Sequence, residues 1–345
     1  MVSPHFVCSL RLLCLPRLVA ILILAAGLAS CAGRPSSSPG AAPATPPAPT
    51  AAVNLPTTVK HYTAPAAGRP WPDTTDGIHV FNDQLALYGN EAWTAFAATH
   101  YAGTQKMTRS DADALRALNP GFLILHYRLG IGLGYRIPDG SCQPAGDYLQ
   151  IIDGDWAQEW PGDDAVRPEW FFPYAGHDRV YNCDWGWYLL EVDDPAWRQW
   201  WIGEILRQLQ ANDADGLFAD SVSVPNYLGA DRWDPPLPDV DAAFEEAWAG
   251  RLERWMDFVR GQFASRYALI PNAGSWVTGR DPTDYGRADG VMIEGFGYDA
   301  WLDFGPADWQ LQLNRVLGLA QQGKIILAQT YYNDLPAQRL YTLGS

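Results

Sequence analysis

Two stretches decide the fold: Asp215-Gly216-Leu217-Phe218-Ala219-Asp220-Ser221 and Gly290-Val291-Met292-Ile293-Glu294-Gly295-Phe296-Gly297. Each is an unbroken apolar run of strand length that starts at a glycine and ends on a carboxylate. A strand that is apolar on successive residues, not alternate ones, must be covered on both faces, as parallel strands are by their crossover helices. Five further runs fit, over residues 78–81, 100–103, 122–127, 268–272 and 324–330. Between several of them the apolar spacing turns helical. Asp194-Pro195 reads as an N-cap followed by proline at the first helical position, with Trp197, Trp201, Ile205 and Leu209 on one face. Phe244, Trp248, Leu252, Trp255, Val259 and Phe263 line a second helix. A third starts at Pro306, should bury Trp309, Leu313, Val316 and Leu317, and stops at Gly323.

Strand, helix, strand in steady alternation predicts an α/β fold of the TIM (β/α)8-barrel type. Only seven runs are found. After Thr330 come a loop and a helix-like stretch over 336–343. Either the count is one short or the sequence stops before an eighth strand; the second is expected, because an open barrel exposes an apolar sheet edge. The third run is followed by a long insertion, residues 130–193, too long for an ordinary loop. It holds Trp156, Trp160, Trp170, Trp185 and Trp187, and such loops commonly present flat aromatic platforms with a polar edge.

The first thirty residues stand apart. Arg11 and Arg17 precede an apolar run over 18–28, then Ala29 and Ser30, the layout of a secretory signal. Leu28-Ala29-Ser30-Cys31 resembles a bacterial lipobox, which implies lipidation of Cys31 and an extracytoplasmic protein anchored at the cell envelope. Residues 31–65 are rich in Pro, Ala, Ser and Thr and read as a tether, leaving 66–345 as the barrel domain. Once Cys8 and Cys14 leave with the signal and Cys31 carries lipid, Cys142 and Cys183 remain, an expected disulfide in an oxidising compartment.

Against 24 basic residues stand 39 acidic ones. That balance excludes nucleic acid and an anionic membrane face as partners and leaves a neutral or cationic ligand; the membrane is met through the N-terminal lipid only. No C-x-x-C or H-E-x-x-H occurs, so no metal is expected. Residues 213–216 lack the first ligand of a calcium loop, where Ala211 stands, and Gly130, Gly132 and Gly134 lack the last spacing of a dinucleotide fingerprint. No cofactor is implied.

Barrel chemistry sits where strands end. Asp220 and Glu294 close the fourth and sixth runs, on next-but-one strands of one rim. Glycosidic cleavage asks for such a pair: one carboxyl protonates the departing oxygen, the other attacks the anomeric carbon or activates water. Asp215, at the entry of its strand, reads as structural. Other strand ends offer groups for sugar hydroxyls: Asn82 and Asp83, His126 and Arg128, Asn272, Tyr298, Gln329 and Tyr331, with Trp185 and Trp187 as platforms. A hydrolase using Ser221 or Ser223 would need His126 or His177 within reach.

The order Asp-Gly-x-Phe-x-Asp, Pro-Asn, Gly-Val-x-x-Glu, here 215–220, 271–272 and 290–294, resembles the barrel glycoside hydrolases related to endo-α-1,4-polygalactosaminidases. The resemblance covers residues 75–335 in organisation. It implies a polysaccharide or oligosaccharide substrate, with Asp220 as nucleophile or base and Glu294 as acid. Because the seventh run ends in Gln329 and not in glutamate, an α-linkage is favoured. The alternative is a carbohydrate-binding lipoprotein that kept the barrel and lost turnover.

Overall fold

The structure, a computed structural model, describes residues 68–73, 78–133 and 166–329, apart from 84, 86, 88, 108, 275, 277, 278 and 298–304. The secretory signal, Cys31, the tether, Cys142, Trp156, Trp160, Tyr298, Tyr331 and the stretch after Gln329 lie outside the described residues.

All seven expected strands are present. β1 (Phe81–Asn82), β2 (Gly103–Gln105), β3 (Leu123–Leu129), β7 (Gly216–Asp220) and β9 (Ala268–Pro271) form a parallel sheet in that order. β10 (Gly290–Glu294) and β11 (Ile325–Gln329) pair in parallel. A parallel bridge from Asn272 to Met292 and the bond from Asp289 N to the Leu269 carbonyl (3.1 Å) continue the sheet from β9 to β10. Among the described residues no pairing joins β11 to β1.

The sheet is nevertheless curved. Leu125, Tyr127, Phe218, Ala268, Ile270, Met292 and Ile325 form one buried cluster, on which Phe81 of β1 and Leu327 of β11 both pack. First and last strands therefore share a concave face. The alternate residues Leu217, Ala219, Leu269, Val291 and Ile293 belong to the larger cluster under the helices. This alternation assigns each strand-end side chain to the concave mouth or to the helix layer.

The helices are α1 (Glu91–His100), α2 (Arg109–Leu118), α3 (Pro195–Ala211), α4 (Ala242–Phe263) and α5 (Pro306–Gln321). Asp194 caps α3 as its sequence demands, its side chain accepting from Trp197 N at 2.7 Å, with Pro195 next. Trp201 of α3 packs on Trp255 of α4 at 5.3 Å. α5 departs from expectation. Trp309, Leu313, Val316 and Leu317 are half-buried, and the buried residues are Gln312 and Leu319. Gln312 turns inward because its amide holds the turn after β10, accepting from Gly297 N at 2.7 Å and donating to the Gly295 carbonyl at 3.2 Å.

Part of the insertion folds into a second sheet. β4 (Gly132–Leu133), β5 (Tyr181–Asn182), β6 (Tyr188–Leu189) and β8 (Trp233–Asp234) pair antiparallel in the order β4-β6-β5-β8. The fourth of these comes from the β7–α4 connection, so two excursions from the barrel-like sheet share one small sheet. Its side chains correct the aromatic-platform expectation. Trp187 is only 3% exposed, packed edge-on against Trp233 at 5.3 Å, and Trp170 is 2% exposed. Both fill a core, because the small sheet has one covered face to supply with bulk. Trp185, in the turn between β5 and β6, is 52% exposed.

Candidate active site

The floor of the site is set at the opposite, N-terminal end of β7. Asp215 is buried there and accepts from Arg116 (2.8 Å), Arg69 (3.0 Å) and the Ile124 backbone N (2.8 Å). This fixes where β7 enters the sheet. The glycines that follow have a packing reason: a Cβ on Gly216 would stand 2.5 Å from the Ala268 carbonyl, and one on Gly290 would press likewise on the Ile325 carbonyl. From those glycines β7 and β10 run in parallel register with their neighbours, and four residues later both deliver a carboxylate.

Phe218 and Met292 lie in the concave cluster, so Asp220 and Glu294, two residues on, face the same side. Asn272 lies between them, two residues beyond Ile270. Its amide Nδ2 donates to Asp220 Oδ1 at 2.8 Å and to Glu294 Oε2 at 2.7 Å. Asn272 Oδ1 accepts from Gly274 N at 3.0 Å, which fixes the orientation of the amide. Asp220 has two more donors, Tyr127 Oη to its Oδ2 at 2.6 Å and Ser221 N to its Oδ1 at 2.8 Å. These bonds fix the orientation of the Asp220 carboxylate in the mouth.

Desolvation first, then the nearby negative charge of Asp220, push the Glu294 carboxyl up to about 7; the Asn272 bond and Lys106 pull the other way, and Asp83 adds to the rise. Glu294 can thus keep a proton near neutrality, which acid-assisted cleavage needs. The turn beyond Glu294 is fixed by Gly295 N and Phe296 N, both donating to the Gln329 carbonyl (2.9 and 2.7 Å), and by Gln312 from below.

Asp83 stands at the end of β1 on the same alternation as Phe81. Gln105 Nε2 donates to it, and Lys106 Nζ lies 3.6 Å from its carboxylate and 4.9 Å from the centre of the Tyr127 ring. Gln329, on the Leu327 alternation, is in register with Glu294. Tyr127, Gln105 and Lys106 were not among the residues expected from sequence. The signal was available: Tyr127 has the same parity as Leu125 and closes the apolar run 122–127, whose strand pairs with β7.

Three expected sugar contacts are corrected by that same parity. His126 faces the helices, its Nε2 3.1 Å from Gln208 Oε1 and its Nδ1 3.3 Å from Asn212 Nδ2. Burial and the charge of Arg128 bring it down to about 3, so it is a neutral ring between an acceptor and a donor. It serves neither a sugar nor Ser221 or Ser223. Arg128 follows the same outward alternation, buried, with Nη1 on the Tyr127 carbonyl at 2.9 Å. Asn82 likewise alternates away from Phe81, and Thr104 Oγ1 donates to its carbonyl at 3.0 Å. Among the described residues no three His, Cys, Asp or Glu side chains gather as a metal site, and no helix is long and apolar enough to cross a membrane.

No curated protein matches the sequence. Solved structures similar in fold include a cycloisomaltooligosaccharide glucanotransferase of Paenibacillus sp., at 12% identity and a TM-score of 0.42 over 74% of this chain and 38% of that one. A maltogenic α-amylase, AmyB, of Thermotoga neapolitana matches at 10% identity and 0.40, over 76% and 61%. A β-N-acetylhexosaminidase of Streptomyces coelicolor A3(2) matches at 10% identity and 0.37, over 75% and 50%. The chain spans less than two thirds of the length of each. The model of hypothetical glycosyl hydrolase family 15 matches residues 116–345, the larger part of the chain and all three motif segments, and the chain belongs to that family of glycosyl hydrolases.

Proposed function

We propose that the chain is an exported, lipid-tethered glycoside hydrolase that cleaves an α-linked polysaccharide of the cell envelope or its surroundings, with Asp220 and Glu294 as the reacting pair. One observation carries this: two carboxyls from next-but-one strands of a parallel sheet meet on a single asparagine amide, one oriented by bonds from Tyr127, Asn272 and the Ser221 backbone and the other raised to about 7. Glu294 is then the proton donor to the departing oxygen and Asp220 the group that acts on the anomeric carbon. The α-linkage rests on the pair's placement on the fourth and sixth strands of the parallel series, with Gln329 at the end of the seventh.

The same reading treats 66–345 as one barrel domain, with the curved seven-strand sheet as its wall. The signal, the lipid on Cys31 and the tether to residue 65 rest on the N-terminal sequence alone. A pairing of Cys142 with Cys183 is supported by the disulfide-bonded state of Cys183. Sugar contacts are assigned to Asp83, Gln329 and the exposed Trp185, together with Tyr298 and Tyr331. Asp220 takes its bonds from Tyr127, Asn272 and the Ser221 backbone, not from an arginine, among the described residues; a binding protein without turnover would have no need to leave that charge unneutralised.

The test is reducing-end release from a panel of α- and β-linked polysaccharides by the full chain, compared with Asp220→Asn and Glu294→Gln. Release that disappears in both variants is expected. Sugar binding without release, equal in all three proteins, would leave a tethered carbohydrate-binding barrel instead.

A further inference from the structure

We propose that the reaction retains the anomeric configuration, through a covalent glycosyl ester on Asp220, and that Asn272 is the positioning residue whose bridging amide sets the carboxyl spacing that makes this possible. The inference rests on the reading of Asp220 and Glu294 as the reacting pair and adds its stereochemistry.

The argument is geometric. Two hydrogen bonds of 2.8 and 2.7 Å from one nitrogen cannot hold their acceptor oxygens farther apart than the two lengths laid end to end, about 5.5 Å. At the roughly 120° between two donor directions of a planar amide, the oxygens come closer still. Enzymes that retain configuration hold their carboxyls about 5 to 5.5 Å apart; those that invert need roughly 6.5 to 9.5 Å, because a water must stand between the base and the sugar. Here the bridged oxygens, Asp220 Oδ1 and Glu294 Oε2, stand one amide nitrogen apart. Asn272 cannot easily swing aside: its Oδ1 is tied to Gly274 N, its backbone N to the Ala219 carbonyl at 2.7 Å, and its carbonyl to Val222 N at 3.0 Å.

The donors on Asp220 also select its reacting oxygen. Among the described residues, Oδ1 accepts from two nitrogens, Asn272 Nδ2 and Ser221 N, whereas Oδ2 accepts from Tyr127 alone. Oδ2 therefore keeps a lone pair for the sugar. In the first step Oδ2 forms a bond to the anomeric carbon as the bond from that carbon to the leaving oxygen breaks, and the Glu294 proton passes to the leaving oxygen. In the second, a water oxygen bonds to the anomeric carbon and gives its proton to the Glu294 carboxylate. The ester bond breaks with its electron pair returning to Asp220. Two displacements at one carbon restore the starting configuration, and water is the only co-reactant.

Two measurements test this, one of them independent of turnover. The first is proton NMR of the anomeric signal in the earliest product from whichever polysaccharide of the panel the full chain cleaves. A first-formed reducing end with the configuration of the cleaved linkage supports the proposal; the opposite anomer overturns it. With that polysaccharide, Asn272→Ala should lower kcat roughly 10²-fold or more, leave KM nearly unchanged and move the high-pH limb upward, since the lost bond is one that lowers the Glu294 pKa. An unmoved limb overturns the positioning role. The second measurement is a crystal structure of the full chain. A mean carboxyl oxygen separation near 5 to 5.5 Å supports the proposal, and one of 6.5 Å or more overturns it. If no polysaccharide is cleaved, the hydrolase reading fails, and the spacing is still decided by that structure.

Discussion

Replacing Glu294 by glutamine should stabilise the protein, and only at high pH. In the folded state burial and Asp220 raise the Glu294 carboxyl from 4.5 to about 7. Each pH unit of that displacement corresponds to about 1.4 kcal/mol, so holding the charged form in the mouth costs about 3 kcal/mol at most, less where solvent at the rim screens it. Folded protein binds the proton more tightly than the unfolded chain. The cost is therefore absent below about pH 4.5, grows as pH rises toward 7 and is complete above it. Glutamine keeps an oxygen for the Asn272 amide and carries no charge. Urea unfolding of wild type and Glu294→Gln at pH 4.5 and pH 8 should show nearly equal stability at the lower pH and a gain of about 2 to 3 kcal/mol for the variant at the higher. A difference independent of pH would refute the raised carboxyl, and with it the assignment of Glu294 as acid.

The same titration should appear in turnover, with kcat falling above about pH 7 as Glu294 loses the proton it must donate; a rate that is flat to pH 9 would contradict the role. Tyr127→Phe removes the 2.6 Å bond to Asp220 Oδ2 and should lower kcat roughly 10-fold while the far-UV spectrum stays as in wild type; an unchanged kcat would contradict the bond's part in holding Asp220. At the other end of β7, Arg116→Leu leaves Asp215 short of a buried partner and should cost about 3 to 5 kcal/mol in urea unfolding, against near-zero for the exposed Arg207→Leu. Gly132→Ala should cost about 1 to 3 kcal/mol, since the added Cβ would lie 2.5 Å from Cε3 of Trp187 in the small sheet.

The strands were readable because each is apolar on successive residues, and that pattern survives in β3, β7, β9, β10 and β11, which start within a residue of where the runs do. β1 and β2 lie one to three residues later than expected, at Phe81–Asn82 and Gly103–Gln105, because their runs are short and mixed and only pairing with a neighbour fixes their frame. The small antiparallel sheet was not readable. Its strands are two residues long, and one of them, β8, comes from a different connection about fifty residues on from β5. Its tryptophans looked like binding platforms for the same reason: composition shows that indoles are concentrated, and only the partner strand shows that Trp187 and Trp170 have a core to fill.

The site divides along a finer line. Asp220, Glu294 and Asn272 were found because each ends an apolar run, and a polar residue there has little to do in the core. His126 and Arg128 end a run too, yet they point into the helix layer, because strand ends are read by parity as well as position. Counting from Leu125 in steps of two leads to Tyr127, and from Phe218 to Asp220, which are the two side chains that bond across β3 and β7. Counting from Gly103 leads to Gln105, beside Asp83. The phase of that count is what one sequence leaves open when both faces of a strand are apolar: Leu217 and Phe218 are equally good core residues, and either could have faced the mouth. The glycines could have settled it. Gly103, Gly216 and Gly290 all sit where a Cβ would strike a neighbouring strand. All three share the parity of the mouth, so the inward residues are those an even number of positions beyond the glycine: Gln105, Asp220 and Glu294. Read that way, the glycine that opens each of these three strands predicts which polar residue at its end faces the mouth.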